Sequence, residues 1–273
     1  MEVEHWQGYL AIPIPDGVVI QSPFGLCETP VFGADSDHTT LAISALEYLL
    51  SNNIDVTSCS MPEDVDALAV HAATGISYDD NEPEWNLLVG DDALVVCARK
   101  EVKEIPHIEI VVDVDSDFHE AMKEAWRIEM EPTNISQGAY VSRAQYEESM
   151  KARLGMQGQS SNDGYIWPPR QRDNDGSVVT GSPVEMGTVG TIHSWTTLSA
   201  AGAPSEFALR APLLGGITSA LVDLHSGPRG VFLMVDDEDC RLDFGIEIEL
   251  VVRRIYAQDG FIRYGRKARV VQA

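Results

Sequence analysis

Apolar positions along this chain fall mostly at strand-like spacings, and three stretches carry a helical period instead. In Asp37-His-Thr-Thr-Leu-Ala-Ile-Ser-Ala-Leu-Glu-Tyr-Leu-Leu50, residues Leu41, Ala45, Leu46, Leu49 and Leu50 share one helical face. Asp37 suits the N-cap and Asn52-Asn53 the stop. Asp115–Trp126 reads as a second amphipathic helix whose acidic first turn favours the helix dipole. Ser142-Arg-Ala-Gln145 is a capping-box pattern that opens a third helix through Leu154, ended by Gly155. The shorter apolar runs predict a hairpin over 8–20, broken by Pro13, Pro15 and Gly17, and strands at Val65–Val70, Asp92–Cys97 and His107–Val112. Five more strands are predicted at 188–198, 217–224, 229–235, 246–256 and 261–270, with Asp259-Gly260 as the turn between the last two.

Strands alternating with helices in the first part argue for an α/β layer. The later strands need no helix to close them and suit a five-stranded barrel of OB type, with an SH3-like barrel as the structural alternative. Residues 155–164 are polar and glycine-rich and read as a mobile linker. After them comes Tyr165-Ile-Trp-Pro-Pro-Arg170, whose Pro-Pro pair fixes two φ angles and holds the chain extended. The expected organisation is an α/β domain over 1–131, a connector with a short helix over 132–164, and a barrel domain over 165–273.

Charge sharpens this division. The net charge is −24, but residues 1–139 hold 27 acidic and 5 basic side chains, whereas 140–273 hold 16 and 14. A first part at −22 repels nucleic acid and phosphate-rich surfaces. No apolar run approaches the ~18 residues of a membrane span, and no secretory signal is evident at the N-terminus, so a cytoplasmic setting without membrane attachment is expected. Cys27, Cys59, Cys97 and Cys240 form no C-x-x-C pair, which removes support for a disulfide framework or a zinc ribbon.

In the first part, Asp35-Ser-Asp-His-Thr-Thr40, Val65-Asp-Ala-Leu68, Gly90-Asp-Asp-Ala93 and Asp117-Phe-His119 occur in an order that resembles the N-terminal half of the thiolase superfamily, in its hydroxymethylglutaryl-CoA synthase branch. The resemblance implies a nucleophilic cysteine at a helix start, a glutamate and a later histidine. The segment 76–86 that should carry the cysteine has none, and the glutamate position falls near Ala73. Cys97 lies inside an apolar run and reads as core. A truncated, degenerate and non-catalytic version of that fold is therefore expected, with no catalytic residue.

The second part resembles the zinc-ribbon/OB-fold family that accompanies thiolases and hydroxymethylglutaryl-CoA synthases. The resemblance rests on Tyr165, Trp167, Pro168, Pro169 and Arg170, then Gly187, Val189, Gly190, Ser194 and Thr196, and Gly245. The ribbon cysteines are absent, so no metal is expected. The family implies an accessory subunit that joins a thiolase-fold enzyme, or self-associates, and holds the CoA arm as a shared ligand without a tightly bound cofactor. Trp167, Pro168, Pro169 and Arg170 are the expected docking or CoA-channel element. Arg263, Tyr264, Arg266 and Lys267, in the basic C-terminal hairpin, either meet the CoA phosphates or form a charged, solvated edge strand. Two alternatives stand beside this reading. One is an OB-fold protein that binds single-stranded nucleic acid by stacking on Phe261 and Tyr264. The other is an acyl-CoA acyltransferase active in its own right.

Overall fold

A computed structural model describes residues 3–271, apart from 80, 91, 101, 103, 104, 107, 108, 135–140, 162, 163, 173, 174, 239 and 240. It divides into two compact units, Met1–Lys123 and Glu124–Ala273, and the division falls within a helix. The architecture is mixed α and β with several separate sheets.

The first unit contains β1 (Glu4–Trp6), β2 (Tyr9–Ile14), β3 (Gly17–Gln21), β4 (Phe24–Leu26), β5 (Thr29–Pro30), α1 (His38–Ser51), β6 (Ser58–Cys59), α2 (Ala67–Thr74), β7 (Ser77–Tyr78), β8 (Asn86–Val89), β9 (Leu94–Ala98) and β10 (Val112–Asp113). Helix α3 (Ser116–Glu129) follows and crosses the division. The main sheet has the order β1-β2-β3-β9-β8 and is antiparallel throughout. Its β2–β3 hairpin is the predicted one. Leu10, Ile12, Val19, Val96 and Ala98 form the core on one face. Alternate residues, including Val18, Ile20 and Cys97, turn to the other face, against which α1 packs.

Helix α1 begins where Asp37 caps it. The Asp37 side chain accepts from the Thr40 N–H at 3.0 Å while the Thr40 hydroxyl lies 3.0 Å from the Asp37 N–H, a capping box. The helix is buried nearly all round, not along a single stripe, and Leu50 is its exposed apolar residue.

Two expectations for this unit are corrected. The run Val65–Val70 is not a strand. Asp66 caps α2 by accepting from the Leu68 and Ala69 N–H groups, and Gly75 ends it at φ 75°. A short apolar run has no decisive period, and these flanking residues are helix start and stop signals. The predicted strand at His107–Val112 is reduced to β10, a two-residue parallel pairing with β4; His107 and Ile108 lie outside the described residues. The expected α/β layer takes the form of an antiparallel sheet with α1 packed on one face; the order departs from the chain at β3–β9, and the parallel pairings in this unit are two residues long.

The second unit holds the C-terminal turns of α3 and then α4 (Arg143–Arg153), β11 (Gln157–Ser161), β12 (Gly164–Ile166), β13 (Pro183–Glu185), β14 (Val189–Leu198), β15 (Ile217–Leu224), β16 (Arg229–Leu233), β17 (Glu247–Gln258) and β18 (Phe261–Val270). The Ser142–Gln145 capping box opens α4 as predicted. The stretch read as a mobile linker is instead β11, the centre of the antiparallel sheet β12-β11-β13. Its Gly158 serves close packing: a Cβ there would stand 2.6 Å from the Met186 sulfur and 2.9 Å from the Ile166 carbonyl oxygen.

The five strands β14–β18 match the predicted ones closely and form one antiparallel sheet in the order β16-β15-β14-β17-β18. Asp259 and Gly260, at φ 55° and 79°, make the predicted turn. The expected barrel does not close as a continuous ladder. Its two edges touch at an isolated parallel bridge, Met234 to Ala268, where the Val235 N–H donates to the Ala268 carbonyl at 3.1 Å. Ile192, Val222, Phe232, Ile248 and Leu250 fill the interior of this curled sheet, joined by Met156 and Met186, which flank β11 and β13 of the smaller one.

Asp37→Ala removes the acceptor that starts a buried helix. We expect a loss of about 1 kcal/mol of stability, read as a lowered urea midpoint with an unchanged slope.

Candidate functional site

The charged hairpin at the C-terminus sets the geometry of the second unit. Arg263 and Lys267 are each 1% exposed, and Tyr264, Arg266 and Arg269 are buried as well. Neither form expected of this segment, an open phosphate-binding strand or a solvated edge, is therefore present. A buried cation must be paired or neutralised. The Lys267 ammonium lies 2.8 Å from Asp236. Arg269 donates to Glu238 and Glu249, at 2.5 and 2.8 Å.

Residues nearer the turn are tied to α4. Arg263 donates to the Val141 carbonyl at 3.1 Å and covers the Phe261 and Tyr146 rings, 3.7 and 4.7 Å from their centroids. The Tyr264 N–H donates to the Tyr146 hydroxyl at 2.8 Å. Arg266 donates to the Leu154 carbonyl at 2.8 Å and the Leu250 carbonyl at 3.0 Å. The last carbonyls of a helix have no partner within it, and a cation there also suits the helix dipole.

Trp167 completes the arrangement. Its indole N–H donates to the Ala152 carbonyl, again in the last turn of α4, at 2.8 Å. Its ring stacks on Phe232 with centroids 5.2 Å apart and planes 20° apart. Gly230 makes this approach possible, since a Cβ there would come within 2.8 Å of the indole. Trp167 is thus half-buried against its own unit's core. Pro168, Pro169 and Arg170 follow it on the surface, and the Trp167–Pro168 peptide bond is cis.

These contacts leave a cavity of about 220 Å³ between α4, β16, β17 and β18. Trp167, Phe232, Tyr256 and Tyr264 give it aromatic walls, Val231 and Ile255 aliphatic ones, and Arg153, Arg263 and Arg266 surround it with guanidinium groups. Four of the predicted residues, Trp167, Arg263, Tyr264 and Arg266, are brought together here. Pro168, Pro169, Arg170 and Lys267 do not line it. Arg153, Phe232 and Tyr256 were missed by sequence reasoning. Arg153 is the last residue of an amphipathic helix, and nothing local distinguishes it from a helix-terminal charge. Burial pushes the Tyr256 hydroxyl above its ordinary pKa, and the Arg263 and Arg153 charges pull it the other way. The phenol is therefore a neutral hydrogen-bond donor near pH 7.

The residues present do not fit the zinc of a cysteine ribbon. Residues 157–186 contain neither cysteine nor histidine. Among the described residues, no group of three or more His, Cys, Asp or Glu side chains is placed to hold a metal ion. No described helix is long and apolar enough to cross a membrane. Cys97 is fully buried in β9, and its thiol pKa is raised well above the usual value by a hydrogen bond with the Cys59 thiol and by burial. A nucleophilic cysteine needs the opposite shift.

Two measurements check this description. Lys267→Met removes the ammonium 2.8 Å from the largely buried Asp236 and should cost about 3 kcal/mol by urea unfolding, against less than about 0.5 kcal/mol for the exposed Arg153→Gln. A thiol-specific reagent followed by peptide mapping should modify the exposed Cys27 in the native protein, and Cys59 and Cys97 after unfolding alone.

Neither a family model nor a curated protein matches the chain. Among solved structures, "Ltp2-ChsH2(DUF35) aldolase" is a distant likeness that covers 48% of this chain and 98% of its own, at 18% identity and a TM-score of 0.34.

Proposed function

We propose that this chain is a non-catalytic accessory subunit of an acyl-CoA-handling enzyme of thiolase or hydroxymethylglutaryl-CoA synthase type. In this reading it docks on the enzyme, or on a second copy of itself within the complex, through Pro168, Pro169 and Arg170. The cavity beside them takes one end of a CoA-bound group. The observation that carries the reading is the gathering of Trp167, Arg263, Tyr264 and Arg266 round one cavity next to an exposed Pro-Pro-Arg segment. Proline has little conformational freedom to lose on docking, and an exposed arginine can grip a carboxylate with two hydrogen bonds. The cavity is below the ~300–1,000 Å³ of a site that encloses a whole cofactor-sized ligand. CoA is thus a ligand shared with the enzyme and not a resident cofactor.

The strand order of the curled sheet and the parallel contact of its edges support a partly open barrel of OB type, carried by residues 165–273. Residues 1–131 are then the degenerate thiolase-like domain; of the expected connector 132–164, α4 and β11 are built into the second unit. The protonated, buried Cys97 supports the non-catalytic assignment over an acyltransferase. Single-stranded nucleic acid is the weaker ligand. Tyr264 is 5% exposed, Arg143 and Arg263 lie against the Phe261 ring, and the hairpin cations are spent inside the unit.

Native purification of the full chain under the salt of its own cells, followed by mass spectrometry, tests the proposal. We expect a thiolase-fold enzyme in stoichiometric amount. Arg170→Glu should weaken that association at least about tenfold, a loss of ~1.4 kcal/mol. Recovery of the chain alone, or with nucleic acid, would overturn it.

A further inference from the structure

The three guanidinium groups round the cavity are not equivalent. Arg266 donates to the Leu154 and Leu250 carbonyls, and Arg263 is held by the Val141 carbonyl and two aromatic rings. Arg153 is exposed at the end of α4 and makes no ion pair with a described residue. The cavity thus offers one uncommitted cation and the Tyr256 hydroxyl, while most of its wall is apolar or aromatic. Its size is limiting. A cavity of ~150 Å³ holds benzene, so about 220 Å³ suits one ring with substituents or two fused rings.

We propose that this cavity binds a compact carboxylate with a planar or branched apolar body. The body lies among Trp167, Phe232, Tyr256 and Tyr264, and the carboxylate rests on Arg153 with Tyr256 as a second donor. A pyrophosphate or a nucleotide bisphosphate would need several free cations, and Arg153 alone cannot neutralise it. The acyl end of a CoA thioester, with a terminal carboxylate, therefore enters the cavity, and the nucleotide end stays outside. That choice of source rests on the proposed function; binding of a free carboxylate does not.

Calorimetric titration of the full chain, purified alone, with 2-naphthoate, its neutral amide and adenosine 3′,5′-bisphosphate tests the site. We expect saturable one-site binding of the acid and binding of the amide weaker by about tenfold or more, the usual worth of a charge-assisted hydrogen bond. Arg153→Gln, at an exposed position, should abolish the difference between acid and amide. Val231→Trp, at a cavity-lining residue that is 69% exposed, should block both ligands without disturbing the core. Equal affinity for acid and amide would overturn the proposal. So would competitive binding of the bisphosphate, or no saturable binding of the acid below ~10 mM, which is weaker than ~3 kcal/mol of binding. Such a failure with the partner enzyme still recovered would leave the accessory role standing; binding of the acid without any partner would do the reverse.

Discussion

The second unit depends on how it accommodates a cationic strand in its interior. Burying Arg263, Arg266, Lys267 and Arg269 on one strand would be prohibitive unless each charge met an acceptor. The acceptors come from two sources. Carboxylates at Asp236, Glu238 and Glu249 take the C-terminal end of β18. Main-chain carbonyls at both ends of α4 take the end nearer the turn. The helix and the strand satisfy each other: α4 has orphan carbonyls in its last turn, the Arg266 guanidinium of β18 donates to one of them, and this pairing fixes the helix along the hairpin. Trp167 uses the same turn of α4, through Ala152, and so ties the Pro-Pro-Arg segment to the same frame.

The same logic governs the root of the unit at α3. Arg210 is fully buried, 2.8 Å from Glu129 and 3.5 Å from Asp236, and its guanidinium lies 3.9 Å from the centre of the Trp126 ring. Arg254 lies over that ring as well, at 4.2 Å. Burial drives the Glu129 carboxyl pKa up and the charge of Arg210 offsets part of this. Asp236 serves both Arg210 and Lys267, so the α3 contact and the β18 hairpin share one carboxylate. The near-neutral balance of the second half of the sequence therefore reflects internal pairing, with acidic and basic side chains matched inside the fold, whereas the first half has few cations to pair with its carboxylates.

The cavity is what this pairing leaves over. Trp167, stacked on Phe232 and bonded to the α4 carbonyl, forms one of its aromatic walls, and Arg153 is the cation at its rim, since Arg263 and Arg266 are bonded to backbone carbonyls. In the first unit the corresponding chemistry is absent at Cys97: a sheet strand buried on both faces gives the thiol neither a helix N-terminus nor a cation.

Much of the secondary structure was legible in the sequence by itself. The capping residues Asp37 and Ser142, the Asp259-Gly260 turn and the five strand-like runs from Val189 to Val270 state their conformation locally, because capping, turn geometry and strand composition depend on a few neighbouring residues. Val65–Val70 and 155–164 fit two local descriptions, as short apolar or glycine-rich runs do: the Asp66 cap and the Gly75 stop settle the first locally, and packing of Met186 against Gly158 settles the second. The predicted site was half legible. Trp167, Arg263, Tyr264 and Arg266 were visible as an aromatic and basic set, but their convergence was not, since Trp167 and Arg263 are distant in the chain and meet through α4. Whether a cation on a strand faces water or a carbonyl is a property of what packs against it. That is why sequence alone could name the charges of β18, and the tertiary structure alone decided that they hold the fold while Arg153 stays exposed at the cavity rim.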